Sequence, residues 1–132
     1  ENLADGLKLA NNLLQLSLPG NLIDDDLMRI LMNGIGVNRS LIRLDLSHNR
    51  IGNGGARRIA KYLLKNELLV SLDLSDNQIG YDGSRFLAQA IKTNKTLEEL
   101  NLKLNQFRDK AGAKFFKDLE SNKTLRVLNI AA

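Results

Sequence analysis

The sequence predicts an α/β solenoid, a stack of like units with parallel strands on one face and helices on the other. Two observations predict it. Leu13, Leu16, Leu18, Asn21 and Ile23 return as Leu41, Leu44, Leu46, Asn49 and Ile51, a step of 28 residues. Further steps of 28 give Leu69, Leu72, Leu74, Asn77 and Ile79, then Leu97, Leu100, Leu102, Asn105 and Phe107. Leu125, Leu128 and Ile130 begin a fifth unit. Between these segments a second pattern recurs as Ile59, Ala60 and Leu63, then Leu87, Ala88 and Ile91, then Phe115, Phe116 and Leu119. Its i, i+1, i+4 spacing marks the apolar stripe of a short helix.

Each element follows from its pattern. L-x-x-L-x-L is a short strand, because alternate side chains share a face. Strand motifs therefore start at 13, 41, 69, 97 and 125. Leu31, Met32 and Ile35 supply the stripe of the helix after the first motif. A step backwards lands on Leu3, Ala4 and Leu7, so the chain opens inside a helix. Asn38, Asn66, Asn94 and Asn122 fall at helix ends, where we expect left-handed backbone. Gly52 and Gly80 fall where strand turns into helix, and we expect them for their conformational freedom. No unit can bury its apolar side alone. With no capping element visible, residues 1–132 read as one segment of a longer array.

This pattern resembles the ribonuclease-inhibitor-like class of leucine-rich repeats over essentially the whole chain. The resemblance implies a horseshoe arc, with parallel strands on the concave face and helices on the convex face. It also implies a structural role for Asn21, Asn49, Asn77 and Asn105, just past each strand. A buried Asn there can donate to and accept from loop peptide groups.

Composition narrows the function. Hydrophobic residues make up 43% and aromatics 5%, so the core must be aliphatic. There is no cysteine, which excludes disulfides and thiolate metal sites. No stretch has the ~20 apolar residues that span a bilayer, and no signal peptide is visible, so we expect a cytoplasmic protein with no membrane role. The net charge of +4 is too low for a nucleic-acid-binding domain.

Other proteins are the expected partners, as subunits of a large assembly. Three rows of side chains lie between the leucines. One reads Gln15, Arg43, Ser71, Glu99, Val127; the next Ser17, Asp45, Asp73, Asn101, Asn129; the third Pro19, Ser47, Ser75, Lys103, Ala131. Arg43, Asp45, Asp73, Glu99, Asn101 and Lys103 are the candidate contacts, against the plainer reading of a solvated sheet face. Asp45 and Asp73 should repel modestly, with Arg43 placed to relieve them. A second candidate lies on the convex side. Arg57, Arg58, Lys61 and Lys65 share one helix. Lys110, Lys114 and Lys117 form an exposed stripe at i, i+4, i+7, suited to an acidic segment. Charge runs usually only solubilise, and that reading comes first.

Catalysis finds little support. His48 is the one histidine, and no nucleophile or orienting group is spaced to work with it. Asp24, Asp25 and Asp26 cannot all converge on a metal, and suit a helix N-terminus better. There is no phosphate-binding loop. We expect no cofactor and no enzyme activity. Ran-type GTPase-activating proteins are similar in repeat class, but no motif licenses carrying over a site. NOD-like immune receptors, tropomodulins and axonemal proteins share the class too. The repeat resembles the uniform N-x-I-G-x-x-G-A type of some NOD-like receptors and of ciliary proteins such as the t-complex-associated testis-expressed subunit of the nexin–dynein regulatory complex. The reading is a scaffold of the cytoskeleton, cilium or axoneme. The ligand-sensing region of a NOD-like receptor and a GTPase-activating protein of the Ran type are the alternatives.

Overall fold

The computed structural model describes residues 2–9 and 12–130. Strands and helices alternate without exception. The strands are β1 (Gln15–Ser17), β2 (Arg43–Asp45), β3 (Ser71–Asp73), β4 (Glu99–Asn101) and β5 (Val127–Asn129). The helices are α1 (Asn2–Leu9), α2 (Asp25–Ile35), α3 (Asn53–Lys65), α4 (Tyr81–Thr93) and α5 (Asp109–Asp118). All five strands pair in parallel, in chain order, in one sheet. Leu16, Leu44, Leu72, Leu100 and Leu128 are register partners in succession. The 28-residue period thus becomes a leucine column across the sheet.

That column is the core. Leu44, Leu72 and Leu100 are buried, as are Leu46, Leu74 and Leu102 on the same side of the sheet. The helices close it with Ile59 and Leu63, then Leu87 and Ile91, then Phe115 and Leu119, all buried. Phe107 takes the place of the earlier isoleucines and meets the Phe115 ring with centroids 5.8 Å apart. Phe116 departs from the expected stripe and is exposed. It matches Ala60 and Ala88, which the following helix covers, whereas among the described residues α5 packs only on α4.

Two sets of asparagines join neighbouring repeats. Asn49 Oδ1 accepts from the backbone N–H of Asn21 at 2.8 Å and of Ile23 at 3.0 Å. Its Nδ2 donates to the carbonyls of Leu18, Leu46 and Ser47. Asn77 accepts from Ile51 and donates to Leu46, Leu74 and Ser75. Asn105 accepts from Ile79 and donates to Leu74 and Leu102. Asn21, in the first of these turns, is exposed and donates to Pro19. Each inner Asn satisfies peptide groups that the bend would otherwise orphan, at ~1–3 kcal/mol each.

The second set sits at the helix ends, and here the left-handed expectation fails. Asn66 and Asn94 have φ of −81° and −67°, with extended ψ. They stop the helices with their side chains instead. Asn94 Oδ1 accepts from the N–H of Thr96 and Leu97, while its Nδ2 reaches Leu63 of the preceding repeat at 2.9 Å. Asn38 and Asn122 bond in the same way.

The left-handed residues lie elsewhere, one before each strand-end Asn: Gly20, His48, Asp76 and Leu104. Leu22 adopts the same backbone region. Leucine is a poor occupant: the region costs an L-residue roughly 1–2 kcal/mol, and Asn offsets that through local side-chain hydrogen bonds that Leu cannot make. Leu104→Asn should therefore stabilise the fold by about 1 kcal/mol, seen as a higher urea midpoint; an unchanged or lower midpoint would contradict it.

The glycines at the strand-to-helix turns also have another explanation. Gly52 and Gly80 have φ of −103° and −108°, so freedom of φ is not the reason for them. The preceding repeat caps the helix they precede. Asp25 Oδ1 accepts from the N–H of Gly52 and Gly55, both at 2.8 Å. Asn53 Oδ1 accepts from Gly80 and Gly83 at 2.8 and 2.9 Å. A Cβ on Gly83 would stand 2.7 Å from that oxygen, and one on Gly55 2.8 Å from Asp25 Oδ1. The next repeat has Tyr81 where the cap would be and Ala111 where the glycine would be. Arg108, which precedes α5, makes no side-chain cap bond of its own.

Candidate protein-binding face

Strands of three residues point their middle side chain into the core and their outer two into solvent. The sheet therefore displays two rows with one residue per repeat. In the first, Gln15, Arg43, Glu99 and Val127 are exposed around a half-buried Ser71. In the second, Asp45, Asp73, Asn101 and Asn129 are half-buried behind an exposed Ser17. The third row is mixed. Pro19 and Lys103 are exposed, Ser47 and Ser75 are buried, and Ala131 lies outside the described residues.

Electrostatics on this face differ from the sequence expectation. Arg43 does not relieve the aspartates. Its guanidinium reaches across Ser71 to Glu99, with Nη1 and Oε1 3.4 Å apart. The small serine leaves the gap that this pair spans. Asp45 and Asp73 are held by their own turns: Oδ1 of each accepts from the N–H of Ser47 or Ser75 at 2.9 Å. Asp73 also accepts from the Ser75 hydroxyl at 2.7 Å. Asn101 holds the Lys103 N–H at 3.0 Å in the same way. These residues brace the bend as well as face solvent.

At the rim lies a pair that reading the residues singly misses. His48 Nδ1 stands 2.6 Å from Asp76 Oδ2, with both side chains more than half exposed. The two are one repeat apart and both left-handed, so the backbone aims their side chains alike. Their shared place in the repeat is the clue the sequence offers. Among the described residues no nucleophile is bonded to the pair.

The three aspartates separate. Asp24 caps its own helix by accepting from the Leu27 N–H at 2.9 Å, Asp25 caps α3, and Asp26 is exposed. On the convex side Lys110, Lys114 and Lys117 are exposed along α5. Lys114 is tied to Asp118 at 3.2 Å. On α3, Arg57 lies over the Phe86 ring at 5.4 Å, whereas Arg58, Lys61 and Lys65 are exposed. Beside them Tyr62 is largely buried and bonded to Asn66 Nδ2 at 3.1 Å. Burial pushes its hydroxyl up to about 12, against a smaller opposing pull from Arg39.

Among the described residues no helix is long and apolar enough to cross a membrane. The sequence matches no curated protein. Among solved structures it is similar to the actin-binding site 2 (ABS2) of leiomodin-1. That match has a TM-score of 0.89 and 21% identity, and covers 99% of this chain and 78% of the other. It is also similar to the tropomodulin C-terminal domain from Caenorhabditis elegans, with a TM-score of 0.86 and 12% identity, over 99% of this chain and 81% of that one. At such identities the likeness is one of fold. The family model described as Leucine Rich repeat matches residues 37–60, 65–88 and 93–116. That is more than half of the sequence, and the chain belongs to the leucine-rich repeat family.

Proposed function

We propose that this chain is a non-catalytic protein-interaction module that docks a cytoskeletal partner, of the actin class, on its strand face. The observation that carries the proposal is the face itself. Five in-register strands hold two side-chain rows at fixed spacing on a rigid sheet, with a charged pair at its centre and the exposed apolar Val127 at one end. Arg43, Asp45, Asp73, Glu99, Asn101 and Lys103 are the proposed contacts. Rigidity limits the ordering cost of binding, and an Arg in a docking row is a common anchor.

The two structural neighbours support the actin class, since both have the same arrangement of repeats and one is named for an actin-binding site. An axonemal version of the proposal rests on the uniform Asn-bearing repeat alone. The test is co-sedimentation of the purified chain with actin filaments, alongside Ran GTP hydrolysis. Saturable pelleting without faster hydrolysis is the expected result. A large stimulation of hydrolysis would replace the module reading with the GTPase-activating one.

A further inference from the structure

The convex surface has a cleft that the strand-face proposal does not use. It runs between the parallel helices α2 and α3 as three contiguous hollows. The first, about 340 Å³, is lined by Asp25, Asp26, Arg29, Arg58 and Lys61. The second, about 400 Å³, shares Arg29, Arg58 and Lys61 and adds Met32, Tyr62 and Lys65. The third, about 560 Å³, shares Lys61, Tyr62 and Lys65 and adds Arg39, Glu67 and Leu68. Each hollow is of a size that takes side chains of a bound ligand.

The charges are unspent. Arg29, Arg58, Lys61 and Lys65 are exposed and stand in none of the ion pairs among the described residues. Among the described residues Arg39 donates to the Gly36 carbonyl alone, at 3.3 Å. By contrast, the basic stripe on α5 has its middle lysine paired within the helix. With Arg57, whose guanidinium also lies over the Phe86 ring, six cations thus line one cleft, with an apolar element between them: Met32 half-buried, Leu64 and Leu68 exposed.

We propose that the α2–α3 cleft binds a short acidic peptide segment of a partner protein. Two features favour a peptide over a nucleic-acid strand or a membrane. Carboxylates close both ends, Asp25 and Asp26 at one and Glu67 at the other. A continuous phosphate backbone or an anionic bilayer would be repelled there, while a segment of a few residues fits between. The apolar residues in the cleft also match a peptide in which leucines interrupt the acids. Opposite charge gives such a site its on-rate and register.

The test is fluorescence anisotropy of a labelled peptide of alternating Glu and Leu pairs, titrated with the full chain. A thymidine oligonucleotide and phosphatidylserine vesicles are run in parallel. Arg58→Glu with Lys61→Glu should weaken peptide binding roughly tenfold or more. The control pair on α5, Lys110→Glu with Lys117→Glu, should change it by less than about twofold at physiological salt. If the first variant loses its helical circular dichroism, Arg58→Gln with Lys61→Gln replaces it, with weakening again expected. Equal losses from the α3 and α5 variants would overturn the proposal, as would tighter binding of the oligonucleotide or vesicles than of the peptide.

Discussion

Asn77→Ala is expected to cost the fold about 3 kcal/mol or more, a fall in Tm of roughly 10 °C. Asn77 is 6% exposed and touches four peptide groups. It accepts from Ile51 at 2.9 Å and donates to Leu46, Leu74 and Ser75 at 3.0 to 3.2 Å. Alanine removes all of these bonds and leaves the peptide groups where water reaches poorly. Because the partners belong to two repeats, the loss loosens the joint between them, and repeat arrays depend on such joints. Gln78→Ala is the control. Gln78 is exposed, and surface changes of that kind stay within about 0.5 kcal/mol. Equal thermal midpoints for the two variants would refute the role given to the asparagine.

The second large effect is expected at Gly83. Gly83→Ala should cost about 2 kcal/mol by overpacking. Its Cβ would lie 2.7 Å from Asn53 Oδ1, 2.7 Å from Ile79 Cγ2 and 3.0 Å from Ala56 Cβ. Asn53→Ala alone should cost about 1 kcal/mol, the worth of a helix cap. Together the two should cost less than their sum by at least about 0.5 kcal/mol, because removing the amide removes one of the three obstacles. Strict additivity in urea unfolding would show that cap and glycine are independent. The chain contains a version of the double change, since Tyr81 and Ala111 occupy the matching places one repeat later.

The period of 28 made the architecture legible, because a repeat that recurs without insertion has one way to stack. The leucine columns and the helix stripes follow from it directly. The interactions between repeats were less visible. Asp25 looked like an acid in the first turn of its own helix, and it caps the next one. Hydrogen bonds of this kind join residues 27 or 30 apart, so no local motif encodes them. The helix-end asparagines were misjudged because Asn can end a helix either by left-handed backbone or by side-chain bonds, and sequence does not choose between them. The left-handed residues were missed for the opposite reason: Gly20, His48, Asp76 and Leu104 share a place in the repeat and no chemistry.

The strand-face candidates were legible as rows and not as partners. Arg43 was assigned to the aspartates because Asp45 shares its strand and Asp73 lies on the next. Its actual partner is Glu99, two strands away, and the distance is crossed over Ser71. Arg58, Lys61 and Lys65 were singled out on one helix, but the cleft they line was not, because Arg29 and Arg39 come from the preceding repeat. Aligning α2 on α3 by the repeat period, which sets Arg29 beside Arg57, is the step that would have found it.

Docking on the strand face is the central claim, and exchanging the charges of its central pair tests it most directly. Arg43→Glu with Glu99→Arg preserves the net charge and lets the two side chains pair again, so stability should hold within about 0.5 kcal/mol. The pattern shown to a partner is reversed. The account predicts that co-sedimentation with actin filaments weakens roughly tenfold while Tm is unchanged. Equal binding by the exchanged and natural chains would contradict it.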